Sequence, residues 1–221
     1  MHDFKDIDTL VFDLDGTLLN TLDDLMDSTN YALSQVGFPT RSYEEIRSFV
    51  GNGVRLLIER AVPKTATKEK TDECFAVFAK HYDKNKSNKT RPYEHIYEML
   101  KAVKSHGYKT AVVSNKYDSA VKELIAQLFG EYIGVAIGEC EGRNKKPAPD
   151  GVIAALDELN SDKSKAVYVG DSDVDFLTAK NSELKFIGVT WGFRDRDFLE
   201  ELGAKIMIDS PLELIKVLGK E

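Results

Sequence analysis

The chain has 221 residues, 42% hydrophobic and 30% charged, with a formal net charge of −7. That suffices for a sizeable core in one large domain or two unequal ones, and the acidic balance excludes broad binding to nucleic acid or anionic membranes, which need a basic surface. Two cysteines, Cys74 and Cys140, stand in no Cys-x-x-Cys or zinc spacing, and no apolar run nears the ~18 residues of a bilayer span; a reduced cytoplasmic compartment without signal peptide is expected.

The first predicted element is the apolar run Leu10-Val11-Phe12, which stops on Asp13-Leu14-Asp15-Gly16-Thr17. A run of strand formers without alternation suits a parallel strand buried on both faces, whose C-terminal end is where such sheets bind ligands. Asp13 and Asp15 are two residues apart, so extended backbone points both carboxylates one way, which suggests a cation held between them.

The stretch that follows is helical. Thr21-Leu22-Asp23-Asp24 resembles a capping box, and a helix runs from there to the Gly37 and Pro39 stop. A second capping box is expected at Ser42-Tyr43-Glu44-Glu45. A third apolar stripe follows Gly51-Asn52-Gly53 and ends at Pro63. The fourth contains Thr71, Cys74, Phe75, Phe78 and Tyr82. Residues 18–90 therefore read as a helical domain, between two pieces, 1–17 and 91–221, of another.

From about residue 93 the pattern alternates. Strands are expected at 109–113, 133–137, 166–169, 186–189 and 205–208. Helices are expected at 93–106, 116–129, 149–159, 173–181, 195–202 and 211–219. This alternation implies right-handed βαβ units and an α/β, doubly wound parallel sheet of Rossmann-like type, with an all-helical cap inserted after strand one. Two crossings on one side of a sheet would suit a hinged lid.

Polar residues gather where strands should end. They are Asp13 and Asp15, then Ser114-Asn115, then Lys145-Lys146-Pro147 before a helix, then Gly170-Asp171-Ser172-Asp173-Val174-Asp175. Acids for a hard cation, a hydroxyl and a lysine are what phosphoryl transfer needs. Each also has a plain reading. Asp-x-Asp occurs on solvated turns, Ser114-Asn115 can cap a helix, Lys146 can be surface, and Asp173 suits a helix start. Gly51-Asn52-Gly53 is either a helix break or a loop offering N–H groups to an anion, and Arg55 is either exposed or paired with a substrate carboxylate. His2, His81, His95 and His106 have no metal-ligand spacing, and Trp191 follows a strand.

Taken in order, Asp13-x-Asp15-x-Thr17, Ser114-Asn115, Lys146 before Pro147, and Gly170-Asp171-Ser172-Asp173-Val174-Asp175 resemble the four motifs of the haloacid dehalogenase superfamily. Val36-Gly37-Phe38-Pro39, Phe49-Val50-Gly51-Asn52-Gly53-Val54-Arg55 and Gly188-Val189-Thr190-Trp191-Gly192 are similar to its phosphoglycolate phosphatase group. Asn20-Thr21 departs from the Asp-Ser often found there, with little catalytic consequence expected.

The resemblance implies a Mg²⁺-dependent phosphatase acting on a small phosphorylated metabolite, as a monomer or homodimer. Asp13 would be nucleophile and metal ligand, and Asp15 the acid-base, touching the metal through its backbone carbonyl. Asp171 would ligate the metal, with Asp175 acting through water or from behind. Ser114, Asn115 and Lys146 would meet the phosphoryl group, Thr17 would support the first loop, and Gly51, Asn52, Gly53 and Arg55 would serve the substrate. An acid at Asp15 favours phosphate over carbon–halogen chemistry. A pyrophosphatase, a sugar-phosphate phosphatase or mutase, and a non-enzymatic phosphate-binding protein remain open alternatives.

Overall fold

The structure, a computed structural model, describes residues 4–220; His2 lies outside them. In chain order the strands are β1 Thr9–Phe12, β2 Leu19–Asn20, β3 Arg91–Pro92, β4 Lys109–Tyr117, β5 Val135–Glu139, β6 Ala166–Gly170, β7 Lys185–Val189 and β8 Met207–Ile208. The α-helices are α1 Leu22–Val36, α2 Tyr43–Phe49, α3 Val54–Ala61, α4 Lys68–Asn85, α5 Ile96–Ser105, α6 Asp118–Leu128, α7 Asp150–Leu159, α8 Asp173–Asn181, α9 Arg196–Glu201 and α10 Leu214–Val217. The chain divides into two compact units, Met1–Leu18 with Pro92–Glu221, and Leu19–Arg91.

In the first unit six strands form a sheet in the order β5-β4-β1-β6-β7-β8, with every neighbouring pair parallel. Both faces are buried. Val11, Ala111, Val113 and Tyr168 pack with Val152, Ala155 and Leu156 of α7 and Ala179 of α8. Their alternates Leu10, Phe12, Val112, Val167 and Val169 point the other way and are equally buried. Period-2 side chains covered on both sides explain why these strands read as unbroken apolar runs. β1 lies centrally, and the chain moves to β4 and β5 on one side before crossing to β6 on the other. That reversal opens a crevice at the strands' C-terminal ends.

The second unit is helical, with β2 and β3 as a two-stranded ribbon. Gly37 ends α1 in the left-handed region, at φ 80°, while the Phe38 N–H donates to the Leu33 carbonyl at 2.8 Å. A side chain there would be strained, so glycine is the natural stop. Ser42 and Glu45 form the expected capping box of α2. Thr21 does not cap α1. Its backbone is helical (φ −109°, ψ 0°) and its hydroxyl makes no cap bond, because a cap side chain reaches back only from extended backbone. Asn20 accepts from the Leu22 N–H instead, at 3.3 Å. Cys74 is buried, as its stripe implied, and burial raises its thiol pKa to about 11. Tyr31 stacks on His81, centroids 4.1 Å apart, fitting a packing role for that histidine.

Two differences from the sequence pattern bear on function. β4 runs on to Tyr117 instead of ending near 113, so Ser114, Asn115 and Lys116 are strand residues, and Tyr117 precedes α6. The last strand shrinks to Met207–Ile208. No helix among the described residues is long and apolar enough to cross a membrane.

Candidate active site

Register brings the polar residues together. Phe12 is level with Val112 on β4 and with Val169 on β6. The next residues along these strands are therefore Asp13, Val113 and Gly170, with Ser114 and Asp171 one step beyond. The Asp13 N–H still donates to the Val169 carbonyl, at 2.9 Å, which fixes the start of the loop. Gly16 turns the chain away at φ +97°, where any side chain would be strained and would strike Asp171.

Four carboxylates and two ammonium groups meet at this edge. Asp13 Oδ1 accepts from Lys146 Nζ at 2.6 Å. Lys146 also donates to Asp175 Oδ1 at 2.8 Å and to the Tyr168 hydroxyl at 3.0 Å. Asp15 turns to a different lysine: its Oδ1 accepts from Lys116 Nζ at 3.0 Å, and its Oδ2 from Ser114 Oγ at 3.4 Å. The two aspartates thus pair with different protein cations.

Asp171 accepts from Thr17 Oγ1 at 3.0 Å and from the Phe193 N–H at 2.8 Å. Gly192 leaves room for it; a Cβ there would lie 2.5 Å from Asp171 Cγ. Trp191 serves the same loop, its indole N–H donating to the Thr17 carbonyl at 3.0 Å. Asp175 is enclosed. Its Oδ2 accepts from the Asp171 and Ser172 N–H groups and from Ser172 Oγ, and Oδ1 takes Lys146 and Tyr168. It sits third in α8, reciprocally capped with Ser172.

The electrostatics follow from burial. Desolvation first, and Asp175 second, push the Asp13 carboxyl well above its usual range, against the pull of Lys146. The same two causes push Asp171 up to about 7. Burial works against the Lys146 ammonium, but Asp13 and Asp175 outweigh it and hold its pKa well above the ordinary lysine value. Oxygens of Asp13, Asp171 and Asp175 lie within 4.8 Å of one another. All are hard oxygen donors with no nitrogen or sulfur among them, and a dry cluster of like charges is offset by a divalent cation such as Mg²⁺. The residues fit that ion.

Several of the expected residues have partners within their own unit. Asn115 Nδ2 donates to the Lys146 carbonyl at 3.0 Å, so its amide holds the lysine's loop. Thr17 spends its hydroxyl on Asp171. In the helical unit, Arg60 donates to Asn52 Oδ1 at 2.9 Å, and Gly51 and Gly53 have φ of 113° and 87°, as a helix break requires. Arg55 pairs with Asp72 at 2.6 Å and Glu59 at 2.7 Å, over the Phe75 ring. Its guanidinium thus has carboxylate partners within its own unit.

Two residues escaped the sequence reading. Tyr168 stands in a run that otherwise reads as apolar strand; its signal was a hydroxyl that full burial obliges to find a partner. The sequence pattern places Lys116 at the start of a helix, whereas the structure keeps it in β4. No local pattern marks it, because its partner Asp15 lies 101 positions away in the chain.

The chain matches the model of the haloacid dehalogenase-like hydrolases over residues 10–189. It is 34% identical to a phosphoglycolate phosphatase of Aquifex aeolicus, over 83% of this chain and 85% of the relative. It is 30% identical to the pyrophosphatase PpaX of Listeria monocytogenes, over 97% and 98%. A crystal structure from Lactobacillus delbrueckii subsp. bulgaricus superposes with a TM-score of 0.92 at 33% identity, covering 98% of this chain and 99% of the other.

Proposed function

We propose that this chain, which belongs to the haloacid dehalogenase-like hydrolases, hydrolyses a small phosphomonoester through a phosphorylated Asp13. The observation that carries this reading is the division of labour at the end of β1: Asp13 beside Lys146, Asp15 beside Lys116. An Asp13 oxygen forms a bond to phosphorus as the ester P–O bond breaks, and the leaving oxygen takes a proton from Asp15. Water then attacks the same phosphorus, gives its proton to Asp15, and Asp13 leaves as carboxylate. Lys146 holds the attacking carboxylate in place and presents positive charge to the phosphoryl oxygens. Asp175 anchors Lys146 and the start of α8.

Mg²⁺ would be held by Asp13, Asp171 and the Asp15 backbone carbonyl, with Asp175 behind them, and when bound supplies positive charge that offsets repulsion between nucleophile and phosphate. The unit Leu19–Arg91 is read as the cap that selects substrate. The protein would act in the cytoplasm, as a monomer or homodimer.

Phosphoglycolate is the leading substrate, supported by the Aquifex relative. Pyrophosphate is the second, supported by the Listeria relative, and would use the same residues. A panel of phosphate esters and pyrophosphate, assayed with Mg²⁺ and with chelator, separates them. Turnover unaffected by chelator would overturn the metal assignment, and no turnover of any ester would return the phosphate-binding alternative.

A further inference from the structure

Lys116 is a buried ammonium that the reaction above does not itself use. Its side chain is 5% exposed, against 19% for its partner Asp15. A lysine is seldom buried so far unless its charge is matched. It comes from β4, in the packed sheet, whereas Asp15 comes from the loop after β1. The lysine is therefore the fixed member of the pair and the aspartate the member being held.

The hold has two points. Ser114 and Lys116 are two residues apart on one strand; Ser114 Oγ donates to one carboxylate oxygen of Asp15 and Lys116 Nζ to the other. Ser114 Oγ also accepts from the Lys116 N–H at 3.2 Å, tying the two donors together. Donors on both oxygens fix the plane of a carboxylate, which one donor leaves free to rotate. Lys146, the other buried lysine, is committed to Asp13, Asp175 and Tyr168.

We propose that Lys116 is the positioning residue of Asp15, aiming its carboxylate at the leaving oxygen in the first step and at water in the second. This rests on the phosphatase reading above, and predicts a kinetic signature that packing alone does not produce. An alkyl ester such as phosphoglycolate needs the Asp15 proton in the first step. p-Nitrophenyl phosphate does not, since nitrophenolate leaves as the anion. Both need Asp15 as base in the second step.

The test is Lys116→Met, which keeps the apolar stem and removes the charge, with Lys116→Arg as the conservative variant. Both are assayed with Mg²⁺ on the two esters by stopped flow. For Lys116→Met, kcat on phosphoglycolate should fall roughly 10–100-fold with little change in KM, as for a misplaced acid-base group. p-Nitrophenyl phosphate should give a burst of about one nitrophenolate per site, then slow turnover. Lys116→Arg should recover part of kcat. A rise in KM for phosphoglycolate alone, with kcat intact, would mean that Lys116 binds the substrate's second anion, and overturns the proposal. So does an equal loss on both esters with no burst. Should Lys116→Met fail to fold, Lys116→Gln takes its place, and a wild-type kcat on phosphoglycolate in that variant refutes positioning. Wild-type protein inactive on both esters with Mg²⁺ would overturn the phosphatase reading along with this assignment.

Discussion

Lys146 offers a test of the site's electrostatics that needs neither substrate nor metal. Lys146→Met removes the ammonium that lies 2.6 Å from Asp13 and 2.8 Å from Asp175, and leaves the stem. The two carboxylates, with Asp171 beside them, then share a dry site without their nearest cation. Removing one partner of a buried ion pair costs about 3–5 kcal/mol. The lower end applies, because Asp13 already resists ionisation and can take up a proton. For a chain of this size about 3 kcal/mol corresponds to a fall of roughly 6–12 °C in melting temperature.

The pH dependence fixes the sign. Lys146 has a raised folded pKa, so its contribution is fully present below the ordinary lysine value and complete at about pH 8. Asp171, raised to about 7, takes up a proton as the pH falls toward about 5.5. The charge that Lys146 balances then shrinks, and so should the deficit of the variant. Thermal melts of wild type and Lys146→Met in chelator, at about pH 8 and about pH 5.5, measure both. A deficit below about 2 °C at the higher pH, under 1 kcal/mol on that scale, or an equal deficit at both pH values, would refute the reasoning.

Asp13→Asn should abolish phosphate release yet leave the melting temperature in chelator at about pH 8 no lower than wild type, since burial and Asp175 already disfavour the charge; wild-type turnover would remove Asp13 as nucleophile. The metal-free core should lose stability as pH rises from about 4 through about 7, because Asp171 holds its proton more tightly folded than unfolded. Mg²⁺ must displace that proton, so the rise in melting temperature on adding Mg²⁺ should be larger at pH 8 than at pH 5.5, and a reversed order would contradict the assignment. Arg55→Ala should change KM for phosphoglycolate by less than about threefold, because exposed ion pairs to Asp72 and Glu59 already neutralise Arg55 and are worth little. A selective rise of tenfold or more in steady-state kinetics would restore its carboxylate-binding role.

Much of the molecule follows from local physics. The apolar run before Asp13, the alternation beyond residue 93, the Ser42 cap and the Gly37 stop are each set by neighbours in sequence. Propensity, capping and period act over a few residues, so a reader of the chain meets them directly. What failed was also local in origin. The pattern predicts a strand over 109–113 and a helix from 116, yet β4 runs on to Tyr117, where Asp15 and the Lys146 carbonyl meet its polar residues. Thr21 has the residue type of a cap, but its backbone is helical and its side chain makes no cap bond.

By itself, then, the sequence determined that a buried parallel strand ends on Asp13 and Asp15, which polar segments lie at the later strand ends, and that a helical block lies between. Only the tertiary structure decided how charge is shared among them. Lys146 goes to Asp13 and Asp175 and Lys116 to Asp15; Tyr168 joins the first group, and Asn115, Thr17 and Trp191 turn to holding loops. The physical reason is that an ion pair or a pKa shift depends on separation and burial in space, and residues 15 and 116, or 13 and 146, become neighbours only when the strands align.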